Sequence, residues 1–167
     1  TAFLDSYHRL THLPEPEYKT VSIQALFTKL ERLLQAEPRS ERVVYCDGKV
    51  DRSTGKELQV YGDANLLTLA LINLIRNALQ AVEGQEDGIV RVDTCAGATG
   101  HLLIIITDNG PGIPPERLSA IFTPFFSTKS GGSGIGLPIS QRIMQLHGGQ
   151  LSVSSIPNVR TEFRMEF

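Results

Sequence analysis

Cysteine is scarce in this 167-residue chain, which has only Cys46 and Cys95 and no CxxC spacing. That excludes a disulfide framework, gives no support to a structural zinc site and suits a reducing compartment. No stretch approaches the roughly 18 consecutive apolar residues of a membrane span, and no signal-peptide pattern opens the chain. An excess of one charge is also missing. The formal net charge is -2, so bulk binding to nucleic acid or to an anionic membrane is not expected. Internal repeats and low-complexity tracts are absent. What is left is the composition of an ordinary globular protein, long enough for one domain with a sizeable core and a short appendage.

Periodicity organises that length. In "TAFLDSYHRLTHL" the residues Phe3, Leu4, Tyr7, Leu10 and Leu13 recur at helical spacing, and Pro14 and Pro16 end the pattern. Because the chain opens on Thr1 already inside that helix, it is expected to be a piece of a longer protein. "PEPEYKTV" reads as a short, stiff linker. A second amphipathic helix follows in "SIQALFTKLERLLQAE", with Ser22 as its cap and Pro38 beyond its end. "RVVYCD" and "KELQVYGD" read as strands around a Gly-rich turn region. A long helix from about Asp63 to Val82 comes next, capped by Asp63. "IVRVDTCA" and "HLLIIITD" flank the turn "GATG" as a hairpin, the second apolar on both faces as a central strand would be. An irregular stretch rich in Gly, Pro, Ser and Thr then carries one short helical piece near "PERLSAIF". The helix of "PISQRIMQLHG" and two alternating strands, "QLSVSSI" and "TEFRMEF", close the chain.

Three segments carry chemistry. In "LINLIRNALQAV" the polar residues Asn73, Arg76, Asn77 and Gln80 fall on one stripe of an otherwise apolar helix. Asparagine is a poor helix-interior residue, and a buried amide without partners costs on the order of 1–3 kcal/mol, so the stripe demands a purpose. "DNGPGI" puts Asp108 at a strand end, where its carboxylate can meet a ligand donor while Gly110 and Gly112 allow close approach to the backbone. The bland reading of that segment, a strand-to-loop turn, has equal standing when it is taken alone. "GGSGIGL" leaves several amide groups free before a helix start, a natural seat for phosphate. It neither follows a strand nor carries a P-loop Lys-Ser/Thr pair, which excludes dinucleotide-fold and P-loop readings.

In this order, and with the Phe-rich "FTPFFSTK" between the last two, the segments resemble the ATP-binding domain of sensor histidine kinases. That domain belongs to the superfamily shared with DNA gyrase, mismatch-repair MutL and the large heat-shock chaperones. The resemblance covers about residues 20 to 167 and implies an α/β (α+β) two-layer sandwich of the Bergerat type. In it a mixed β-sheet is covered on one face by helices, with an ATP lid from about Pro114 to Gly131. It implies ATP and Mg2+ as ligands, with Asn77 as the magnesium ligand, Asn73 beside it at the phosphates and Asp108 receiving adenine's exocyclic amine. Gly110, Gly112 and Ile113 belong to the first glycine box. Phe126, Thr128 and Lys129 belong to the lid, and Gly132, Ser133, Gly134, Ile135, Gly136 and Leu137 to the second glycine box. Thr161 resembles the late threonine that supports the adenine-binding aspartate. Gln80 stands where many members carry Lys or Arg, so that phosphate contact is either lost or moved to Arg76 or Lys129. Ser133 replaces the commoner threonine, "PNVRTEF" lacks the usual glycines before its threonine, and the lid is short.

ATP-hydrolysing members of the superfamily place a glutamate four residues before the magnesium asparagine. Here that position is Asn73, a neutral amide that cannot act as a general base, which favours a phosphotransferase. His8 is followed by Arg9, so "HRLTHLP" does not match the phosphoacceptor box. His8 and His12 lie one turn apart without a third metal ligand and read as helix-surface residues, while His101 and His147 read as structural. Residues 1–19 instead resemble the end of the dimerisation hairpin and its linker, "FLDSYHRLTHLPEP" being similar to kinases of the nitrogen-regulatory kind, and the resemblance implies that 20–167 is the catalytic domain. The implied partners are the protein's own hairpin and the receiver domain of a response regulator, with no nucleic acid. A dimer is expected for the full-length bacterial protein, and a monomer or weak dimer, unable to phosphorylate itself, for this chain. The implied location is cytoplasmic, with inner-membrane anchoring of the parent left open. Two alternatives stand beside this reading: a non-catalytic ATP-sensing module, and a serine-protein kinase or ATPase of the same superfamily.

Overall fold

The computed structural model describes residues 13–46, 55–96, 101–127 and 132–167. The elements are β1 (Lys19–Ser22), α1 (Ile23–Leu34), a 3-10 turn (Ser40–Arg42), β2 (Val43–Tyr45), β3 (Gln59–Gly62) and α2 (Ala64–Ala81). They continue with β4 (Val90–Ala96), β5 (Leu102–Asp108), α3 (Pro115–Leu118), α4 (Gly136–Leu146), β6 (Gln150–Ile156) and β7 (Arg160–Glu166). The first amphipathic segment, His8 and His12 within it, and the "GATG" turn fall outside the described residues. Among the described residues no helix is long and apolar enough to cross a membrane.

Five strands form one mixed sheet in the order β2-β4-β5-β7-β6, with β2 parallel to β4 and the other neighbours antiparallel. The expected hairpin is β4–β5, and β5 is central as its apolar pattern requires. Registered rows explain why one face is buried. Val92, Ile106, Phe163 and Val153 lie side by side in one row, and Thr94, Ile104, Met165 and Leu151 in the next. The alternate residues, such as Arg91, Thr107 and Glu162, share the opposite face, as the two-residue period of a strand dictates. Helices α2 and α4 cover the apolar face, and α1 packs against α2. Leu67, Leu71, Leu74 and Ile75 of α2 are fully buried, each worth roughly 1.5–3 kcal/mol of transfer free energy.

The end of the stretch read as a linker departs from expectation, although residues 14–18 carry no helix or strand. Lys19–Ser22 is a strand, paired antiparallel with Gln59–Gly62 in a separate two-stranded sheet. Its Val21 lies opposite the buried Val60 and packs against the core, so this stretch buries apolar surface and satisfies a ladder that a free linker would leave open. As a result "RVVYCD" and "KELQVYGD" belong to different sheets.

Both ends of α2 are held by charged side chains from outside its repeat. At its start, Asp63 is extended (φ -94, ψ 113) and its Oδ1 accepts from the backbone N–H of Asn65 (2.8 Å) and Leu66 (3.0 Å). Its Oδ2 accepts from the N–H of Glu17 at 2.8 Å, so the incoming chain is fastened to the same carboxylate. The N–H of Asp63 donates to His147 Nε2 at 2.9 Å, while the other ring nitrogen lies 2.7 Å from the Ile143 carbonyl. These two contacts assign the proton to Nδ1 and confirm His147 as a structural residue. At the far end, Arg42 Nη1 donates to the carbonyls of Val82 (3.1 Å) and Gln85 (2.6 Å), placing a cation where the helix dipole favours one.

Burial pushes the Asp63 carboxyl up, but the N–H groups of Glu17, Leu66 and Asn65, with His147, outweigh it and hold it below its ordinary value of 3.8. A carboxyl lowered by folding stabilises the native state above its unfolded value, and that stability is lost as pH falls through the folded one. Asp63→Ala should therefore cost about 2 kcal/mol in denaturant unfolding near neutral pH. The gap from the parent protein should narrow below about pH 4, and a gap still fully open at about pH 3 would contradict the assignment.

Candidate functional site

A cavity of about 560 Å³ opens between α2 and the segments that follow β5. That volume is in the range of small-molecule sites. Asn73, Arg76, Asn77, Gln80 and Ala81 form its α2 wall. The wall is polar because the other faces of α2 are spent on the core, leaving the stripe at 73, 76, 77 and 80 as the side turned to the cavity. Asn73 Nδ2 donates to the carbonyl of Gly136 across the cavity at 3.4 Å, a long bond that ties the helix to the start of α4.

Asp108 closes one end. It is the last residue of β5, only 3% exposed, and its Oδ1 accepts from the N–H of Gly110 at 2.9 Å. Gly110 passes behind the wall against Ala81, whereas Gly112 and Ile113 line the cavity. Gly112 has φ +78, and a Cβ there would lie 2.9 Å from Pro157 Cα, so the turn admits no larger residue. Asn109 fixes the turn from outside, donating to the Asp87 carbonyl (2.9 Å) and accepting from the Ile89 N–H (2.8 Å).

Thr161 on β7 is the register partner of Asp108 and is buried. Its hydroxyl meets Ser155 Oγ at 3.1 Å. Ser155 accepts from the N–H of Ile113 (2.8 Å) and donates to the Arg160 carbonyl (3.1 Å). A serine hydroxyl has one proton, so Thr161 is the donor in their mutual bond. Ser155 is the junction between the first glycine box and the last two strands. Nothing in its local sequence marks it out, because its partners lie far along the chain.

The second glycine box and the Phe-rich turn support each other. Phe125, at φ 65, donates its N–H to the Gly134 carbonyl at 2.9 Å. Gly134, at φ +65, approaches so closely that a Cβ would lie 2.5 Å from the Phe125 carbonyl carbon. This contact presents Gly132, Ser133, Gly134, Gly136 and Leu137 to the cavity together with Phe126, while Ile135 turns into the core. Thr128 and Lys129 fall outside the described residues.

The cavity also has members the sequence pattern does not reveal. Phe163 lies on the buried face of β7, in the same alternation as Thr161, and Ile121 follows the short α3; both contribute apolar floor. Arg117 of α3 lines the cavity as well. Arg76 is there, but its Nε (3.0 Å) and Nη2 both bond to Glu37 Oε1 beyond the rim. Among the described residues no group of three or more His, Cys, Asp or Glu could hold a metal ion. Cys46 is no poised nucleophile, since burial first and Asp93 second push its thiol up.

Residues 62–167 match the family of histidine kinase-, DNA gyrase B- and HSP90-like ATPases. Among curated relatives, the sensor histidine kinase ZraS of Salmonella typhimurium is 35% identical over 140 residues, covering 83% of this chain and 28% of that protein. The sensory histidine kinase/phosphatase NtrB of Vibrio alginolyticus is 34% identical over 163 residues, 92% of this chain and 45% of NtrB. The chain thus spans less than half the length of either. Among solved structures, the nucleotide-free catalytic domain of histidine kinase ThkA superposes with a TM-score of 0.73 at 28% identity, covering 90% of this chain and 95% of that one.

The close approach of Gly134 to the Phe125 backbone gives a test of the site. Gly134→Ala should weaken nucleotide binding by about tenfold or more in calorimetry, because the glycine loop must retreat from the Phe-rich turn. Its melting temperature should fall by a few degrees, because the neighbouring Ile135 is anchored in the core.

Proposed function

The chain belongs to the family of histidine kinase-, DNA gyrase B- and HSP90-like ATPases, and on that premise we propose that it is the ATP-binding catalytic domain of a two-component sensor histidine kinase. It donates the γ-phosphate of ATP to a histidine on a helical hairpin upstream of the catalytic domain, for relay to an aspartate of a response-regulator receiver domain. The observation that carries this reading is the cavity wall itself. Two amides, Asn73 and Asn77, occupy one turn of α2 facing the glycine-rich start of α4, and among the described residues Asp108 is the only carboxylate lining the cavity. An ATP-hydrolysing site needs a general base beside the γ-phosphate, and an amide cannot accept the proton of water.

The division of labour follows from the ends of the cavity. Asp108, fixed by the Gly110 N–H, offers an acceptor to adenine's exocyclic amine, and Phe163 and Ile121 give the base an apolar bed. The backbone of Gly132 to Gly136, at the positive end of α4, receives phosphate oxygens. In phosphoryl transfer the protein chiefly positions groups and neutralises charge, which amides, loop N–H groups and arginines can do without covalent chemistry.

The donor set fits magnesium. The Asn77 carboxamide is a hard oxygen donor on the phosphate side, and with phosphates and water completing the shell no carboxylate cage is required. Bound there, the ion would neutralise charge on the transferred phosphoryl group.

Asn77→Ala should abolish magnesium-dependent ATP binding in calorimetry while leaving the circular dichroism spectrum and melting temperature nearly unchanged; retained affinity would refute the site. Incubated alone with labelled ATP, the chain should acquire no label, and phosphate on His8 or His12 would overturn the view that the acceptor lies elsewhere.

A further inference from the structure

Resting on the ATP-site reading above, we propose that Glu37 sets the phosphate affinity of the pocket by competing for Arg76. Two cations line the cavity among the described residues, Arg76 and Arg117. Arg117 sits on α3, beside the box that ends at Ile113, whereas Arg76 stands directly before Asn77 on the α2 wall. The next position along the stripe that could carry a charge holds the neutral Gln80. Arg76 is therefore the cation of the α2 wall, and its charge is already engaged.

Arg76 and Gln80 form a partition. On one side is the nucleotide cavity; on the other is a smaller cleft of about 420 Å³ that holds Glu37, Arg39 and Glu83. Both Nε and Nη2 of Arg76 bond to a single oxygen of Glu37 in that cleft, drawing the guanidinium off the phosphate side. Glu37 is fixed where it stands. Its N–H donates to the Leu34 carbonyl at 2.9 Å at the end of α1, its carbonyl accepts from the N–H of Ser40 at 3.2 Å, and Pro38 follows. Its side chain is 24% exposed against 52% for Arg76. The carboxylate is thus the anchored partner and the long arginine the adaptable one. A polyphosphate, a stronger anion than one carboxylate, must take or share the guanidinium, and each nucleotide that binds does so against the standing Glu37 bond.

Glu83, bonded to Arg39 at 2.7 Å in the same cleft, provides a built-in control, because its neutralisation changes the net charge identically without freeing Arg76. In calorimetry with Mg-ATP and with adenosine on the whole chain, Glu37→Gln should tighten ATP about three- to fivefold, the upper part of the range of an exposed ion pair. It should leave adenosine unchanged. The gain should vanish in the Arg76→Met background, shrink as salt is raised, and exceed the effect of Glu83→Gln by at least about threefold. Unchanged or weaker ATP binding by Glu37→Gln would overturn the proposal, as would a gain that survives Arg76→Met or that Glu83→Gln reproduces. Failure of the parent chain to bind either ATP or adenosine would instead overturn the ATP-site reading, so the two failures are distinct.

Discussion

The carboxylate of Asp63 is the constraint on which the site depends. A long helix with four amide- or charge-bearing residues on one stripe has nothing to spare in intrinsic propensity, and its first N–H groups need an acceptor. Asp63 supplies that acceptor and, with its second oxygen, fastens the chain that arrives from Leu13. Arg42 answers at the other end. With both ends fixed and one side sealed by leucines, the rotation of α2 about its axis is determined. That rotation is what aims Asn73 and Asn77 across the cavity.

The opposite wall is held more lightly. It is loop backbone, and its shape comes from glycine contacts and from single hydroxyls that serve several partners. Ser155 spends its one proton and its lone pairs on three neighbours, joining the turn after Asp108 to β6 and β7. The site is thus a rigid helical wall facing a wall of main chain, an arrangement suited to a ligand that is rigid at the base and highly charged at the phosphates.

Much of this was legible in local sequence because the signals are local. The stripe at 73, 76, 77 and 80, the Asp63 and Ser22 caps, Asp108 at the end of an apolar strand and glycines before α4 are all read within about two helical turns or one strand. What escaped has distant partners. The pairing of Lys19–Ser22 with Gln59–Gly62 depends on an edge 40 residues away, which no period in "PEPEYKTV" reports. The bond from Arg76 to Glu37 spans 39 positions, and Ser155 is linked to Ile113 across 42. Sequence pattern says which side of an element is polar, but not which remote group will claim it.

The small sheet of β1 and β3 has a mechanical consequence. Its two strands are antiparallel, with Lys19 opposite Gly62, so the chain leading back to Leu13 and the chain leading on to Asp63 leave from the same end. Tension between those two exits loads the pair as a zipper, one rung at a time, and not in shear across all rungs together. The first rung to feel it adjoins Asp63, where the Glu17 N–H is also bound. Force arriving along the backbone at Glu17 is therefore delivered at the foot of α2.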